Sequence, residues 1–205
     1  MTKRCTRRLL AAAVLSLGAI TVPSAGAASG GSLLTPVALL TGKANPCSGR
    51  VLSQPFAPWR DGASYFPVSG GTFEGGAPGW TLTGGASVQA GGNTFLSAGS
   101  SLVLPAGAAA TTPAICVDLG SPTLRAFTNA QRGTVVVSVV VAGLAVPVGV
   151  ISASGSWQPT PAMVYLTNAL GILSATGTTT ASFRFTAVGG DARLDDVYVD
   201  PYRRT

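Results

Sequence analysis

The run TVVVSVVV at residues 134–141 constrains the fold most strongly. All but one of its residues are β-branched, which favours a strand, and its apolar character on both faces predicts a central, well-covered strand. Ala142 and Gly143 follow as a turn signal, so residues 144–151 are expected to return as the second strand of a hairpin. A membrane-spanning helix is the competing interpretation, and Pro147 argues against it.

The chain from residue 80 onward consists of short apolar or alternating segments separated by Gly-Gly, Ala-Gly and Ser-Pro turn signals. Residues 178–188 alternate cleanly and are expected to pair with the final strand through a turn at 189–191. Residues 163–173 are compatible with a helix or a strand, and Tyr165 and Thr167 favour the strand. The pattern predicts an all-β fold, an antiparallel β-sandwich or jelly roll. The remaining predicted strands are 80–88, 94–96, 101–104, 114–119 and 123–128.

The N-terminal segment has the features of a signal peptide. A basic start is followed by an apolar stretch at residues 9–22 and by the small-residue motif Ala25-Gly26-Ala27. We therefore predict a cleaved signal peptide at 1–27, a flexible leader at 28–46 and a single β-sandwich domain at 47–205. This predicts a secreted, extracellular protein with no stable membrane span after cleavage.

The charge balance depends on that cleavage. The precursor has a formal net charge of +6, and removing the four basic residues of the signal leaves +2. A nucleic-acid-binding protein needs a basic patch that contacts many phosphates, so nucleic acid is not an expected partner.

Two cysteines remain after cleavage, because Cys5 lies in the signal. In an exported chain, Cys47 and Cys116 most simply form one disulfide. The alternative is a reactive thiol, but the sequence has no C-x-x-C motif and no histidine to activate a thiolate.

Residues 51–65 are rich in aromatic side chains and contain Trp59 and Tyr65. Such a loop is either a platform on which sugar rings stack or a lid packed over one end of the sandwich. Tyr165 is a further candidate for sugar stacking. Trp157 is expected to anchor the core near the start of a strand.

Glu74 is the only glutamate, and it lies between Phe73 and a Gly/Pro turn. In the final strand, strict alternation would place Asp195 on the same face as Val197 and Val199. If that face is buried, the Asp195 carboxylate needs a partner. The candidates are a Ca²⁺ ion bound by carboxylates and turn carbonyls, an arginine such as Arg125 or Arg184, or N–H groups of a turn.

Two motifs carry a family resemblance: Gly71-x-Phe73-Glu74 with Gly79-Trp80, and Leu194-Asp195-Asp196-Val197-x-Val199 at the end of the domain. The chain resembles the galactose-binding-like jelly-roll superfamily, to which many carbohydrate-binding modules belong. With Cys47, Pro55-Phe56-Ala57-Pro58-Trp59 and Ser64-Tyr65, it is also similar to a family of small secreted actinobacterial proteins. The resemblance implies a structural Ca²⁺ held by Glu74 and Asp195.

Three functions are compared on this basis. The first is a non-catalytic carbohydrate-binding domain whose partner is a polysaccharide or cell-wall glycan, with Trp59, Tyr65 and Tyr165 as candidate contacts. The alternative is an extracellular or cell-envelope structural or protein-interaction domain without a small ligand. An enzyme is not expected, because the chain has no histidine and alternation would point Asp195 and Asp196 to opposite faces.

Overall fold

The computed structural model describes residues 47, 49–118, 120–165 and 177–201. The predicted signal peptide at 1–27, the leader at 28–46 and most of the ambiguous segment 163–173 lie outside these residues. The described strands are β1 (Phe66–Pro67), β2 (Thr81–Thr83), β3 (Ser87–Ala90), β4 (Ser100–Leu104), β5 (Ala109–Thr111), β6 (Ile115–Asp118), β7 (Thr123–Ala130), β8 (Thr134–Val141), β9 (Leu144–Ser152), β10 (Gln158–Pro159), β11 (Met163–Val164), β12 (Thr178–Val188) and β13 (Ala192–Asp200). A short 3₁₀ helix spans Ala57–Trp59.

The strands form two antiparallel sheets. The first has the order β10-β7-β13-β4-β3, with β1 also paired to β13 and β11 to β7; the second has the order β2-β5-β12-β8-β9, with β6 also paired to β12. Apolar side chains from both sheets pack into one shared core. The predicted antiparallel β-sandwich is confirmed. The core includes Leu102, Leu194 and Val199 of the first sheet and Val137, Phe183 and Phe185 of the second.

The valine-rich run forms β8 and returns through Ala142-Gly143 as β9, as predicted. β8 lies between β12 and β9, and Val135, Val137, Val139 and Val141 are buried while the alternate positions are partly exposed. No helix among residues 47, 49–118, 120–165 and 177–201 is long and apolar enough to cross a membrane.

Three strand predictions were wrong. Residues 80–88 form two strands, because the glycine turn at 84–85 sends β2 and β3 into different sheets. Residues 94–96 lie in a loop. β12 and β13 do not pair, because the turn at 189–190 crosses from one sheet to the other.

The final strand contains a β-bulge that overturns the predicted alternation. The pairing of β13 with β7 shifts register between Asp195 and Tyr198, and Asp196 has a positive φ of 47°. The extra residue changes the phase of the strand, so that Leu194 and Val197 both enter the core. Asp195 and Asp196 both turn away from the core toward the loop at residues 91–99.

The predicted disulfide between Cys47 and Cys116 is present. Cys116 lies in β6, and the bond closes a sequence separation of 69 residues. It therefore ties the start of the described chain to the second sheet.

Candidate functional site

The outer face of the first sheet carries a second apolar cluster. Along β7, Leu124 and Ala126 join the core between the sheets, whereas Phe127 points to the opposite side and packs with Phe56 and Tyr65. The Phe56 ring is 5.0 Å from Tyr65 and 5.2 Å from Phe127. The aromatic loop at 51–65 is thus a lid, as in one of the two predicted alternatives, but it covers the outer face of the first sheet rather than one end of the sandwich.

A depression of about 510 Å³ opens beside this lid. Three aromatic side chains contribute to its walls: Trp59 from the lid, Phe95 from the β3–β4 loop and Trp157 from the segment leading into β10. The Trp59 and Phe95 rings meet edge to face at 4.9 Å, and Phe95 remains 46% exposed. The other lining residues are Arg125, Gln158, Pro159, Thr160 and Pro161.

Arg125 connects the two sides of the depression. Its Nε and Nη2 donate to the Thr160 carbonyl oxygen at 2.9 and 2.6 Å, and its Nη1 forms an ion pair with Asp61. The guanidinium also lies 4.2 Å from the centre of the Phe56 ring. The network therefore fixes the segment after β10 against the lid that carries Trp59.

Asp61 is held in its charged form by its donors. Burial would raise its pKa, but hydrogen bonds from the Tyr65 hydroxyl, the Ala63 amide and Arg125 outweigh it and hold the pKa below the usual range. Burial and the charge of Asp61 raise the pKa of Tyr65. The Arg125–Asp61 pair thus contributes no net charge to the depression.

Of the three predicted sugar-contacting aromatics, the structure places only Trp59 at the depression. Tyr65 is 1% exposed because its ring is part of the lid cluster and its hydroxyl donates to Asp61 at 2.7 Å. Tyr165 is also 1% exposed, and its ring packs 4.7 Å from that of Phe183. Both predictions were wrong, since neither ring offers a free face.

Sequence reasoning missed two lining residues. Trp157 was expected to anchor the core near the start of a strand; it does precede β10 and pack against the Phe56–Tyr65–Phe127 cluster, but it is half-buried and also lines the depression. Phe95 was assigned to a strand, but it lies exposed in a loop. The available signal was the pair Pro159 and Pro161 just after Trp157. Proline has no backbone N–H to donate, so a strand that contains it lies at the edge of a sheet.

A pair of buried carboxylates lies behind the β3–β4 loop. Asp195 and Asp196 are 0% and 1% exposed. Asn93 donates to Asp195 Oδ2 from its backbone and its side-chain nitrogens at 2.8 and 2.9 Å, and its side chain also donates to Asp196 Oδ2 at 2.6 Å. The partners of Asp195 thus include turn N–H groups, whereas Arg125 pairs with Asp61 and Arg184 lies on the other sheet.

This pair is electrostatically costly. Burial raises the pKa of Asp195 to about 7, to which the charge of Asp196 adds, although the hydrogen bonds from Asn93 oppose the shift. Burial also raises the pKa of Asp196, and the charge of Glu74 contributes. Glu74 itself is exposed, and its Oε1 accepts from the amides of Gly99 and Ser100 at 3.1 and 3.2 Å. Glu74 and Asp195 therefore hold opposite ends of the same loop.

Backbone oxygens converge on this loop as well. A methyl group at Gly92 would lie 2.3 Å from the Ser97 carbonyl oxygen, 2.7 Å from that of Ser100 and 2.8 Å from Asp195 Oδ2. Carboxylate and carbonyl oxygens are the ligand types that Ca²⁺ takes, so these three oxygens fit part of the implied site, whereas Glu74 lies against Gly99. Within the described part of the chain, no group of three or more His, Cys, Asp or Glu side chains is arranged to hold a metal.

The fold and site define an antiparallel β-sandwich with an aromatic depression on one outer face. No protein-family model matches the chain, and no curated protein sequence matches it significantly. Solved structures with a similar fold include a CBM6 module of the laminarinase LamC from Zobellia galactanivorans, with 10% identity over 66% of this chain and 98% of that one and a TM-score of 0.46.

Two further matches are a tailspike protein of bacteriophage CBA120 and an adhesin domain of Lys-gingipain from Porphyromonas gingivalis. The tailspike has 19% identity over 65% of this chain but only 21% of its own length, with a TM-score of 0.47. The adhesin domain has 14% identity over 63% and 95% of the two chains, with a TM-score of 0.44. Carbohydrate-binding modules of the CBM61 and CBM22 types are also among the matched β-sandwiches.

Proposed function

We propose that this chain is a secreted, non-catalytic carbohydrate-binding domain and that the depression lined by Trp59, Phe95 and Trp157 is its glycan site. The observation that carries the proposal is the convergence of these three aromatic side chains, from three separate segments, on one open depression. Concave sites with apolar walls and a few polar groups are typical of small-molecule binding.

The depression offers the two kinds of contact that a sugar needs. Indole faces pack against the apolar C–H face of a pyranose ring. Gln158 is exposed at the rim, and Arg125 directs three of its five donors to Thr160 and Asp61. The remaining donors and the Gln158 amide would orient sugar hydroxyls. Because Asp61 balances the charge of Arg125, we expect a neutral glycan.

Export is part of the proposal. The sequence at residues 1–27 has the pattern of a signal peptide, and a disulfide joins Cys47 to Cys116. Disulfides persist in oxidising compartments and are rare in the cytosol. Both features support action outside the cell.

A structural Ca²⁺ is proposed at the β3–β4 loop. Glu74 and Asp195 would hold it with the carbonyl oxygens of Ser97 and Ser100. The support is the buried, electrostatically unfavourable aspartate pair and the oxygen-lined cradle at Gly92. The ion would neutralise charge and fix the loop.

The glycan proposal is tested by retention of the oxidised mature chain on insoluble cellulose, chitin, xylan and purified cell wall. We expect retention on one of these, lost in Trp157→Ala and kept in Leu144→Ala. Leu144 is a suitable control because it is a large apolar residue that is 61% exposed on the other sheet. Retention of wild type on none of them would contradict the proposal and favour the protein-interaction alternative.

The calcium proposal is tested separately by thermal unfolding with and without chelator. We expect the chelator to lower the Tm of the wild type, and Asp195→Ala to lower the Tm and abolish the chelator effect. Asp191→Ala is the matched control, since Asp191 is exposed and accepts a hydrogen bond from the Ala106 amide. A wild-type Tm that is independent of chelator would refute the calcium site.

A further inference from the structure

Asn93 is fully buried, and each polar group of its side chain is used. Its Nδ2 donates to both buried aspartates, while its Oδ1 accepts from the backbone amides of Phe95 and Leu96 at 3.0 Å each. Its backbone N–H donates to Asp195 Oδ2. One side chain thus links the carboxylate pair behind the loop to the backbone of the residue that lines the depression.

This link matters because Phe95 lies in a loop, outside the strands of the sheet. Residues 94–96 are exposed and belong to neither a strand nor a helix. The Phe95 ring contacts the Trp59 ring at 4.9 Å and the Phe127 ring at 5.6 Å, and these contacts depend on where the loop backbone holds it. The position of this wall of the depression therefore depends on Asn93 as well as on the two ring contacts.

We propose that Asn93 is a positioning residue for the glycan site: it transmits the fixed geometry of the Asp195–Asp196 pair to Phe95 without contacting the ligand. The inference rests on the proposed function, because it assigns a role in that same site. On this proposal the two aspartates support the site from outside the depression, through Asn93.

The amide side chain is chemically required. Only Asn or Gln presents two N–H donors and an acceptor oxygen in one planar group. Asn93 donates to two carboxylates and accepts from two amides. Aspartate at this position has nearly the same shape, but it would place a third carboxylate against two buried ones. Asn93→Asp is therefore a near-isosteric test of the link.

The rest of the loop is held by Asp196 and by backbone hydrogen bonds within the loop. Ser97 Oγ donates to Asp196 Oδ1 at 3.1 Å. The base of the loop is closed by backbone hydrogen bonds from Gly91 to Gly99 and from Gly92 to Ala98. With its base closed, the loop can change the placement of Phe95 without unfolding the strands that flank it.

The experiment compares wild type, Asn93→Asp and Asn93→Ala with the control Asn129→Asp. Asn129 is partly exposed on β7 and accepts from the Gln131 side chain. Amide hydrogen exchange at Phe95 and Leu96 is measured together with binding to the polysaccharide that retains the wild-type protein. Losing hydrogen bonds of this kind is worth about tenfold, and Asn93→Ala loses all four of its side-chain bonds, so we expect about tenfold faster exchange at Phe95 and Leu96 and about tenfold weaker binding. Asn93→Asp keeps the acceptor oxygen but loses the donors to Asp195 and Asp196 and adds a buried carboxylate against them, so we expect it to displace the loop and change both quantities in the same direction.

A double-mutant cycle with Phe95→Ala separates positioning from general destabilisation. If Asn93 acts through Phe95, Asn93→Ala weakens binding no further in the Phe95→Ala background. Additive losses, or unchanged exchange at Phe95 and Leu96 in a folded Asn93→Asp protein, would overturn the proposal.

The wild type alone already provides one decisive outcome. Slow exchange of the Phe95 and Leu96 amides is expected, and fast exchange would overturn the role of Asn93 even if every variant failed to fold. If the wild type binds no glycan, the proposed function fails, and the exchange comparison still decides whether Asn93 fixes the loop.

Discussion

The charge pair beneath the depression gives a quantitative prediction. In Asp61→Asn, the Arg125 guanidinium loses its counter-charge, and the Arg125 side chain is only 10% exposed whereas that of Asp61 is 22% exposed. Removing one partner of a buried ion pair costs about 3–5 kcal/mol. Because water reaches Asp61, we expect the lower end, a loss of about 3 kcal/mol in the free energy of unfolding.

The assay is chemical unfolding of the wild type, Asp61→Asn and the surface control Asp191→Asn, with the m-value monitored. The same substitution should weaken glycan binding, because Arg125 also holds the Thr160 carbonyl at the edge of the depression. A loss below about 1 kcal/mol, the range of exposed pairs, would refute the reasoning that this pair is effectively buried.

The pH dependence gives an independent check. Asp61 has a lower pKa in the folded protein than in the unfolded chain, where it is about 3.9. Its stabilisation is therefore full above that value and is lost as the pH falls through the lower folded pKa. The stability gap between wild type and Asp61→Asn should be constant near neutral pH and narrow below about pH 4. A gap that stays constant into strong acid would contradict the assignment.

Three further predictions concern stability. Replacing Cys47 and Cys116 with serine should cost about 4 kcal/mol, from the chain entropy of a loop with a sequence separation of 69 residues, measured by unfolding under oxidising conditions. Tyr65→Phe should lose about 1–2 kcal/mol of stability through its hydroxyl hydrogen bond but leave glycan affinity unchanged, and a large affinity loss would restore Tyr65 as a contact residue. Gly92→Ala should lower the Tm clearly, because its methyl group would lie 2.3 Å from a carbonyl oxygen; an unchanged Tm would show that the loop is looser than described.

The strand content of the fold follows from local patterns. β8 and β9 were predicted within a residue because β-branched composition and the Ala142-Gly143 turn are both local signals. The pairing of β12 with β13 was predicted incorrectly, because a short glycine turn serves a hairpin and a crossing between sheets equally well. Sheet assignment depends on distant partners that a single sequence does not reveal.

The bulge in β13 shows a second limit. One extra residue at Asp196 reverses the phase of the strand, so Asp195 and Asp196 converge on Asn93. The argument against catalysis that placed these two carboxylates on opposite faces was therefore wrong. Period-two reasoning holds only while the ladder is regular, and a bulge inserts an extra residue that changes its phase.

The aromatic residues show a third limit. Trp59 and Tyr65 lie in the same loop, yet one lines the depression and the other is buried in the lid. Composition identified the loop as aromatic, but which ring faces outward is decided by Phe127 of β7 and by the Asp61 hydrogen bond. Trp157 and Phe95 join Trp59 only through tertiary contacts.

The most direct test of the glycan site is an NMR titration that follows the indole N–H signals of the three tryptophans. The titrant is a soluble oligosaccharide of the polysaccharide that retains the protein. Trp80 is an internal reference, because it is 8% exposed and its indole nitrogen donates to the Ser69 carbonyl at 2.9 Å. We expect the Trp59 and Trp157 signals to shift along one saturable curve while that of Trp80 stays fixed. Saturable binding that leaves Trp59 and Trp157 unshifted, or no shift with any glycan, would contradict the assignment of this depression as the binding site.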